Sequence, residues 1–252
     1  MSTILLLIPL SLPQGLRENY FQSFHVLGEI LTKINTSRKD SLQKLKGKVE
    51  KYFRPEFLEG SPTSIRLILD YVLKREIDDG VIRIRHRRTL TCDTQDCKGQ
   101  RVFLKSNLNP RYSAYVEHEP NEELMTLQEV VNDYFEYSHR CRCCKVNSKA
   151  TRSECINPLV LLIDITKVTI KDIDSEISFN SASYTINAVS YYNNDTQHFT
   201  AMLKIDNKMY LYDGMTDEGK LSEVAQESFE LTHSNSTFIA NMLWYIEKEI
   251  DD

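Results

Sequence analysis

Cysteine is missing from the chain before position 92, and its six cysteines then fall at Cys92, Cys97, Cys141, Cys143, Cys144 and Cys155. A secreted scaffold held by disulfides is stapled along its whole length, so this clustering excludes that class and suits a reducing compartment. Glycine is scarce too, with 8 in 252 residues, against 13 Tyr and 10 Phe. That balance, with no repeats and no low-complexity tract, excludes a disordered chain and fits a mixed α and β core. No stretch approaches the roughly 18 consecutive apolar residues of a membrane-spanning helix. The sequence therefore reads as soluble, without a membrane partner, and intracellular, either cytoplasmic or nuclear. Net charge is −5, which leaves no global positive field to gather nucleic acid.

What is present begins with an apolar N-terminus, MSTILLLIPLSLPQG. It lacks a basic flank and is broken by Pro9, so a buried strand or docking segment is expected rather than a signal peptide. From Tyr20, the apolar residues Phe21, Phe24, Leu27 and Leu31 recur at helical spacing. Residues 37–55 are polar and basic and read as a solvated face. A second helix is expected over 57–73, with Ser61 near its N-cap and Pro62 in its first turn. Over 81–92 the pattern alternates, with Ile82 and Ile84 opposite Arg83, Arg85 and Arg87, as in a strand with one basic face. Without interleaved aromatics on that face, nucleic-acid binding is not favoured.

Two close cysteine pairs follow, Cys92 with Cys97 and Cys141 with Cys144. Soft thiolates at two hairpin tips can converge on a tetrahedral zinc ion, with Cys143 as an alternative ligand. Residues 236–249 read as a helix or a strand closing the chain.

The most informative stretch runs from Tyr184 to Met215. Tyr184, Ile186 and Ala188 alternate with polar neighbours, NNDTQ is turn chemistry, and His198 opens a strand carrying Phe199, Ala201 and Leu203 on alternate positions. Asp206, Asn207 and Lys208 make a tight turn into the return strand MYLYD. An antiparallel return brings the start of one strand beside the end of the next, so His198 and Asp213 are expected as neighbours. A carboxylate that orients an imidazole is the base half of a Cys-His-Asp system.

The segment QHFTAMLKIDNKMYLYD resembles the histidine box of ubiquitin-specific proteases (USPs): Gly-His-Tyr, a strand, a short turn, then Trp, two residues, an aromatic and Asp. Gln197, His198 and Phe199, then Met209 through Asp213, occupy those places; the Gly and the Trp are replaced, the His and Asp kept. SLPQGLRENYFQSFHVLG resembles the family's cysteine box, matching at Leu12, Tyr20 and Ser23. There Asn19 stands at the nucleophile position and Gln14 at the oxyanion-donor position. In the helix that follows, Arg66 replaces an acidic residue that in the family helps hold ubiquitin's basic tail. The cysteine pairs resemble the family's zinc ribbon. LMTLQEVVNDYF, the stretch through Pro158, Leu159, Leu161 and Ile163, and the terminal Met242 to Tyr245 resemble further landmarks in the right order.

The resemblance covers about residues 11–248. It implies an α+β fold of the papain-like cysteine protease type: a helical thumb over 11–75, zinc-ribbon fingers over 76–155 and a β-rich palm over 156–252. It implies a structural zinc on Cys92, Cys97, Cys141 and Cys144. A carboxamide is no nucleophile. The implied activity is therefore a pseudo-deubiquitinase that binds ubiquitin or a ubiquitin-like protein, or serves as a scaffold in a larger assembly. The relic dyad would be His198 and Asp213. The alternatives are an active cysteine-type deubiquitinase whose nucleophile lies elsewhere, in Cys143, Cys155 or an upstream segment, and a zinc-ribbon adaptor contacting RNA or an acidic partner.

Overall fold

The computed structural model of the protein describes residues 82–92, 94, 97, 111–113, 115–141, 143–213, 221–233 and 237–248. The helical pattern from Tyr20 and the helix expected over 57–73, together with Gln14, Asn19 and Arg66, lie outside the described residues. The chain divides into two compact units. Among the described residues, the first unit comprises those within 82–186 and 245–248, and the second those within 187–244. No helix among the described residues is long and apolar enough to cross a membrane.

The first unit opens with β1 (Ile84–Thr91), whose outward Arg85 and Arg87 are exposed while Ile84 and His86 are buried. The alternation read from the sequence is therefore the real one. It is followed by β2 (Arg111–Ser113), β3 (Val116–Glu117) and β4 (Asn121–Met125). Helix α1 (Leu127–Asp133) lies within the stretch that resembles the family's helix, and Thr126 and Glu129 form a reciprocal capping box that stops the strand and fixes its first turn. Then come β5 (Glu136–Arg140) and β6 (Asn147–Ile156). Strands β2, β1, β6 and β5 form one antiparallel sheet in that order. A register shift opposite Arg85 and Arg87 falls where Glu154 takes φ 50, which marks a bulge in β6.

The inward side of this sheet is braced by stacked cations. Arg152 lies 4.1 Å from the Tyr134 ring centre and 4.2 Å from that of Tyr137, and Arg88 lies 5.2 Å from Tyr137. Arg152 also donates to the Tyr134 carbonyl. On the outward side, Arg87 pairs with Glu154 at 2.7 Å. Helix α1 buries Leu127, Val130 and Val131.

Next follow β7 (Val160–Asp164), β8 (Val168–Ile170) and β9 (Glu176–Phe179). β7 is buried at every position and pairs in parallel with β3, while β8 pairs in parallel with β4. The Gln128 amide bonds both the N–H (2.8 Å) and the C=O (2.9 Å) of Ser178, tying α1 to β9. β10 (Ala182–Asn193) returns from β9 through Asn180 and Ser181, both left-handed at φ 46 and φ 70. Two left-handed residues between paired Phe179 and Ala182 are the geometry of a type I′ hairpin. Within this unit the Tyr184 hydroxyl, fully buried, donates to the Pro158 carbonyl at 2.7 Å.

The second unit is an antiparallel sheet built from the rest of β10, β11 (His198–Ile205), β12 (Lys208–Asp213), β13 (Leu221–Val224), β14 (Thr232–His233) and β15 (Phe238–Glu247) as far as Trp244. Its order is β13, β12, β11, β10, β15, with β14 on β15. β15, read as helix or strand, is a strand. It is buried at every residue from Ala240 to Ile246, so it shows no period of either kind.

Leu162, with no exposed surface, sits in the middle of β7. Leu162→Ala should cost about 2–5 kcal/mol. Urea denaturation would show this as a lower midpoint; an unchanged midpoint would mean that this strand is not in the core.

Candidate metal centre and histidine–aspartate pair

Thr91 at the end of β1 pairs with Lys149, and Arg140 at the end of β5 pairs with Asn147. Both cysteine pairs therefore leave the sheet at the same end. The sulfurs of Cys92, Cys97, Cys141 and Cys144 all lie within 4.8 Å of one another. Cys92 and Cys144 are 3.4 Å apart, and Cys97 and Cys141 are 3.7 Å apart. A tetrahedral ion with Zn–S bonds of about 2.3 Å needs sulfurs about 3.8 Å apart, so the four thiols are already close to that arrangement.

The surroundings of Cys141 and Cys92 favour the thiolate. The backbone N–H groups of Cys144 and Cys143 donate to the Cys141 sulfur and lower its pKa. Hydrogen bonds from Ser148 first, then from the Thr94 side chain and backbone, bring Cys92 down to about 6. Lys145, left-handed at φ 63, closes the turn, with its N–H on the Cys141 carbonyl at 3.0 Å. Four thiolates leave no open position, so this is a structural zinc site: a bound ion would hold the ends of β1, β5 and β6 together. Cys143 is exposed and lies outside this set. Cys155 is half-buried, and burial pushes its thiol up to about 11.

The histidine–aspartate pair follows from register. Thr200 of β11 lies directly opposite Asp213, the last residue of β12. His198 is two residues before Thr200, on the same face, and so diagonal to Asp213. Its Nε2 lies 2.6 Å from Asp213 Oδ1, with both side chains about four-fifths covered. A carboxylate only accepts, so Nε2 carries the proton. Nδ1 then keeps the lone pair of the neutral ring, and no described residue bonds to it. That is the form of a general base.

A second histidine–aspartate contact shows the difference. His118 Nε2 lies 2.8 Å from Asp133, but its Nδ1 also meets the Glu119 carbonyl at 2.6 Å. Both nitrogens are engaged by neighbouring oxygens, so neither is open to another group.

Two features around His198 were not read from the sequence. Phe238 stands edge-on to its ring at 6.0 Å, and His233 packs between Phe238 (6.2 Å) and Tyr191 (5.8 Å). Burial lowers the pKa of His233, with Glu230 and Asp213 opposing. Both residues come from β14 and β15, far along the chain, and carry no local signal. The loop before His198 is held by Asn193, whose Oδ1 accepts from the N–H of Asp195 (2.9 Å) and of Thr196 (3.0 Å). Gln197 closes that loop left-handed at φ 51. Glycine is the residue that takes this conformation at least cost, and it is the residue the family's box places there.

No protein-family model matches the sequence, and comparison with curated proteins gives no match. Solved structures do match. One is a variant form of the SAGA Ubp8/Sgf11/Sus1/Sgf73 DUB module, with TM-score 0.57 and 11% identity, covering 98% of this chain and 66% of the matched chain. Another is the SAGA DUB module of Ubp8, Sgf11, Sus1 and Sgf73 bound to monoubiquitin, with TM-score 0.54 and 12% identity, covering 90% of this chain and 58% of the matched chain. At these identities the likeness is one of fold. The described β-sheets and the four-cysteine cluster are consistent with the fingers and palm part of a USP-type fold. The chain spans from under three fifths to about two thirds of the length of those solved chains.

Two results are expected. Metal analysis of the purified chain should find one zinc per molecule, lost in Cys141→Ala and kept in Cys143→Ser; loss in Cys143→Ser alone would reassign the ligands. Gln197→Gly should raise stability by up to about 1 kcal/mol by removing left-handed strain, read as a higher urea midpoint, whereas Gln197→Ala should not.

Proposed function

We propose that this chain is a USP-type domain that binds ubiquitin or a ubiquitin-like protein, or serves as a scaffold in a larger assembly, without hydrolysing an isopeptide bond. In this reading, residues 11–75 form the thumb, 76–155 the fingers and 156–252 the palm. One observation carries it: all six cysteines lie between positions 92 and 155, and the unit that holds His198 and Asp213 contains none. Four of the six are committed to the metal cluster, and the Cys155 thiol is held protonated by burial. At the nucleophile position of the resembled box stands Asn19, whose amide nitrogen lone pair is delocalised. His198 and Asp213 are then a retained base with nothing to activate. A similar fold solved with monoubiquitin bound supports the choice of partner.

A second reading, an active cysteine hydrolase, draws on the same dyad. With Nε2 oriented by Asp213 and Nδ1 open among the described residues, the ring is set to take a proton from a thiol.

Hydrolysis of a fluorogenic ubiquitin C-terminal amide separates the two. The wild-type chain should be silent, and Asn19→Cys should exceed it by about 100-fold or more, the range a positioned base supplies. Turnover by the wild type that disappears in Cys143→Ser or Cys155→Ser would establish the second reading.

A further inference from the structure

The sheet face that carries the histidine–aspartate pair also holds a buried hydroxyl that the pair does not use. Thr200 is directly opposite Asp213 on β12 and directly opposite Tyr191 on β10, and it lies two residues along β11 from His198 and from Met202. These side chains share one face. Thr200 is 2 % exposed, and its hydroxyl has no hydrogen-bond partner among the described residues. A buried hydroxyl left unpaired is destabilising, and valine has the same shape without that cost.

The neighbours differ in what they offer this hydroxyl. Met202 is apolar, and the Tyr191 hydroxyl already donates to the Glu230 carbonyl at 2.9 Å. The Asp213 carboxylate is an acceptor with several lone-pair sites, one of which takes His198 Nε2 at 2.6 Å. Directly opposite residues of an antiparallel pair hold their Cβ atoms about 4.5–5.5 Å apart. Rotation of Thr200 from one staggered χ1 well to another therefore brings its hydroxyl within reach of that carboxylate.

We propose that Thr200 is a positioning residue of the pair: a second hydrogen-bond donor for Asp213, held in reserve for a state in which His198 has turned away. His198 is the first residue of β11, and it follows a loop whose residues from Asn194 to Gln197 are exposed, so its ring has solvent to turn into. The Asp213 side chain is about four-fifths covered. A covered carboxylate that loses its donor is left poorly solvated, and this opposes any movement of the imidazole. A hydroxyl already buried beside it takes the donor's place and lowers that opposition. The pair thereby has two states, one with the imidazole held on Asp213 and one with it withdrawn, and Thr200 sets how often the second is visited. These states belong to the chain whatever partner it binds, so their test needs neither ubiquitin nor hydrolysis.

The test follows the His198 Nε2 proton by nuclear magnetic resonance in the full zinc-loaded chain carrying isotope-labelled histidine, with the signal assigned by its loss in His198→Gln. That proton exchanges with water when the ring leaves Asp213. Thr200→Val should slow the exchange about 5-fold, the effect of one hydrogen bond on the withdrawn state. Thr200→Ser, which keeps the hydroxyl, should exchange at the wild-type rate. The urea midpoint of Thr200→Val should equal or exceed that of wild type. Exchange in Thr200→Val at the wild-type rate or faster would overturn the proposal. So would equal slowing in Thr200→Ser, because the hydroxyl would then not be the group responsible. A lower urea midpoint for Thr200→Val would overturn it as well, because the hydroxyl would then already be bonded in the paired state.

Discussion

The hairpin turn at Asp206 and Asn207 is the constraint on which the histidine–aspartate site depends. Both residues are left-handed, at φ 47 and φ 64, and they join Ile205 to its partner Lys208. A two-residue turn of this kind admits one register. That register carries Asp213 opposite Thr200 and diagonal to His198. A slip of one residue would turn Asp213 to the other face of the sheet and separate the carboxylate from the imidazole. The 2.6 Å contact is thus a consequence of backbone geometry seven residues away, with Asn193 and Gln197 fixing the other end of β11.

The chemistry of the two units diverges in an informative way. In one, four thiols are gathered at the tips of a sheet, and backbone and hydroxyl donors favour the anionic form of Cys92 and Cys141. In the other, a base is oriented by a carboxylate with no cysteine in the same unit. A coordinated thiolate is saturated by its metal, and a buried thiol above its usual range stays protonated at neutral pH. Structure-bearing sulfur and nucleophilic sulfur are different uses of one residue type, and four of the six cysteines fit the first.

Much of this was legible in the sequence because the relevant signals are local. Alternation in β1, β10 and β11, the polar run before His198 and the Asp206–Asn207 turn each occupy a few consecutive residues. The metal ligands were legible from spacing, although only the structure shows that Cys143 turns outward. Elements whose identity depends on distant partners were not legible. β15 is covered on both sides, which erases its period. The turn at Asn180 and Ser181 has no glycine to announce it. Arg88 and Arg152 look like surface charges until Tyr134 and Tyr137 are found beneath them. His233 and Phe238 reach His198 only once β14 and β15 have paired. Where the resembled family has glycine before the histidine, the left-handed φ of Gln197 supplies the physical reason for that preference.

The central claim, a USP-type domain that does not hydrolyse an isopeptide bond, is tested most directly by calorimetric titration of the zinc-loaded chain with isopeptide-linked di-ubiquitin, followed by mass analysis of the recovered di-ubiquitin. The account predicts that the di-ubiquitin is recovered intact, with saturable binding where ubiquitin is the partner. Recovery of monoubiquitin as a cleavage product would contradict it.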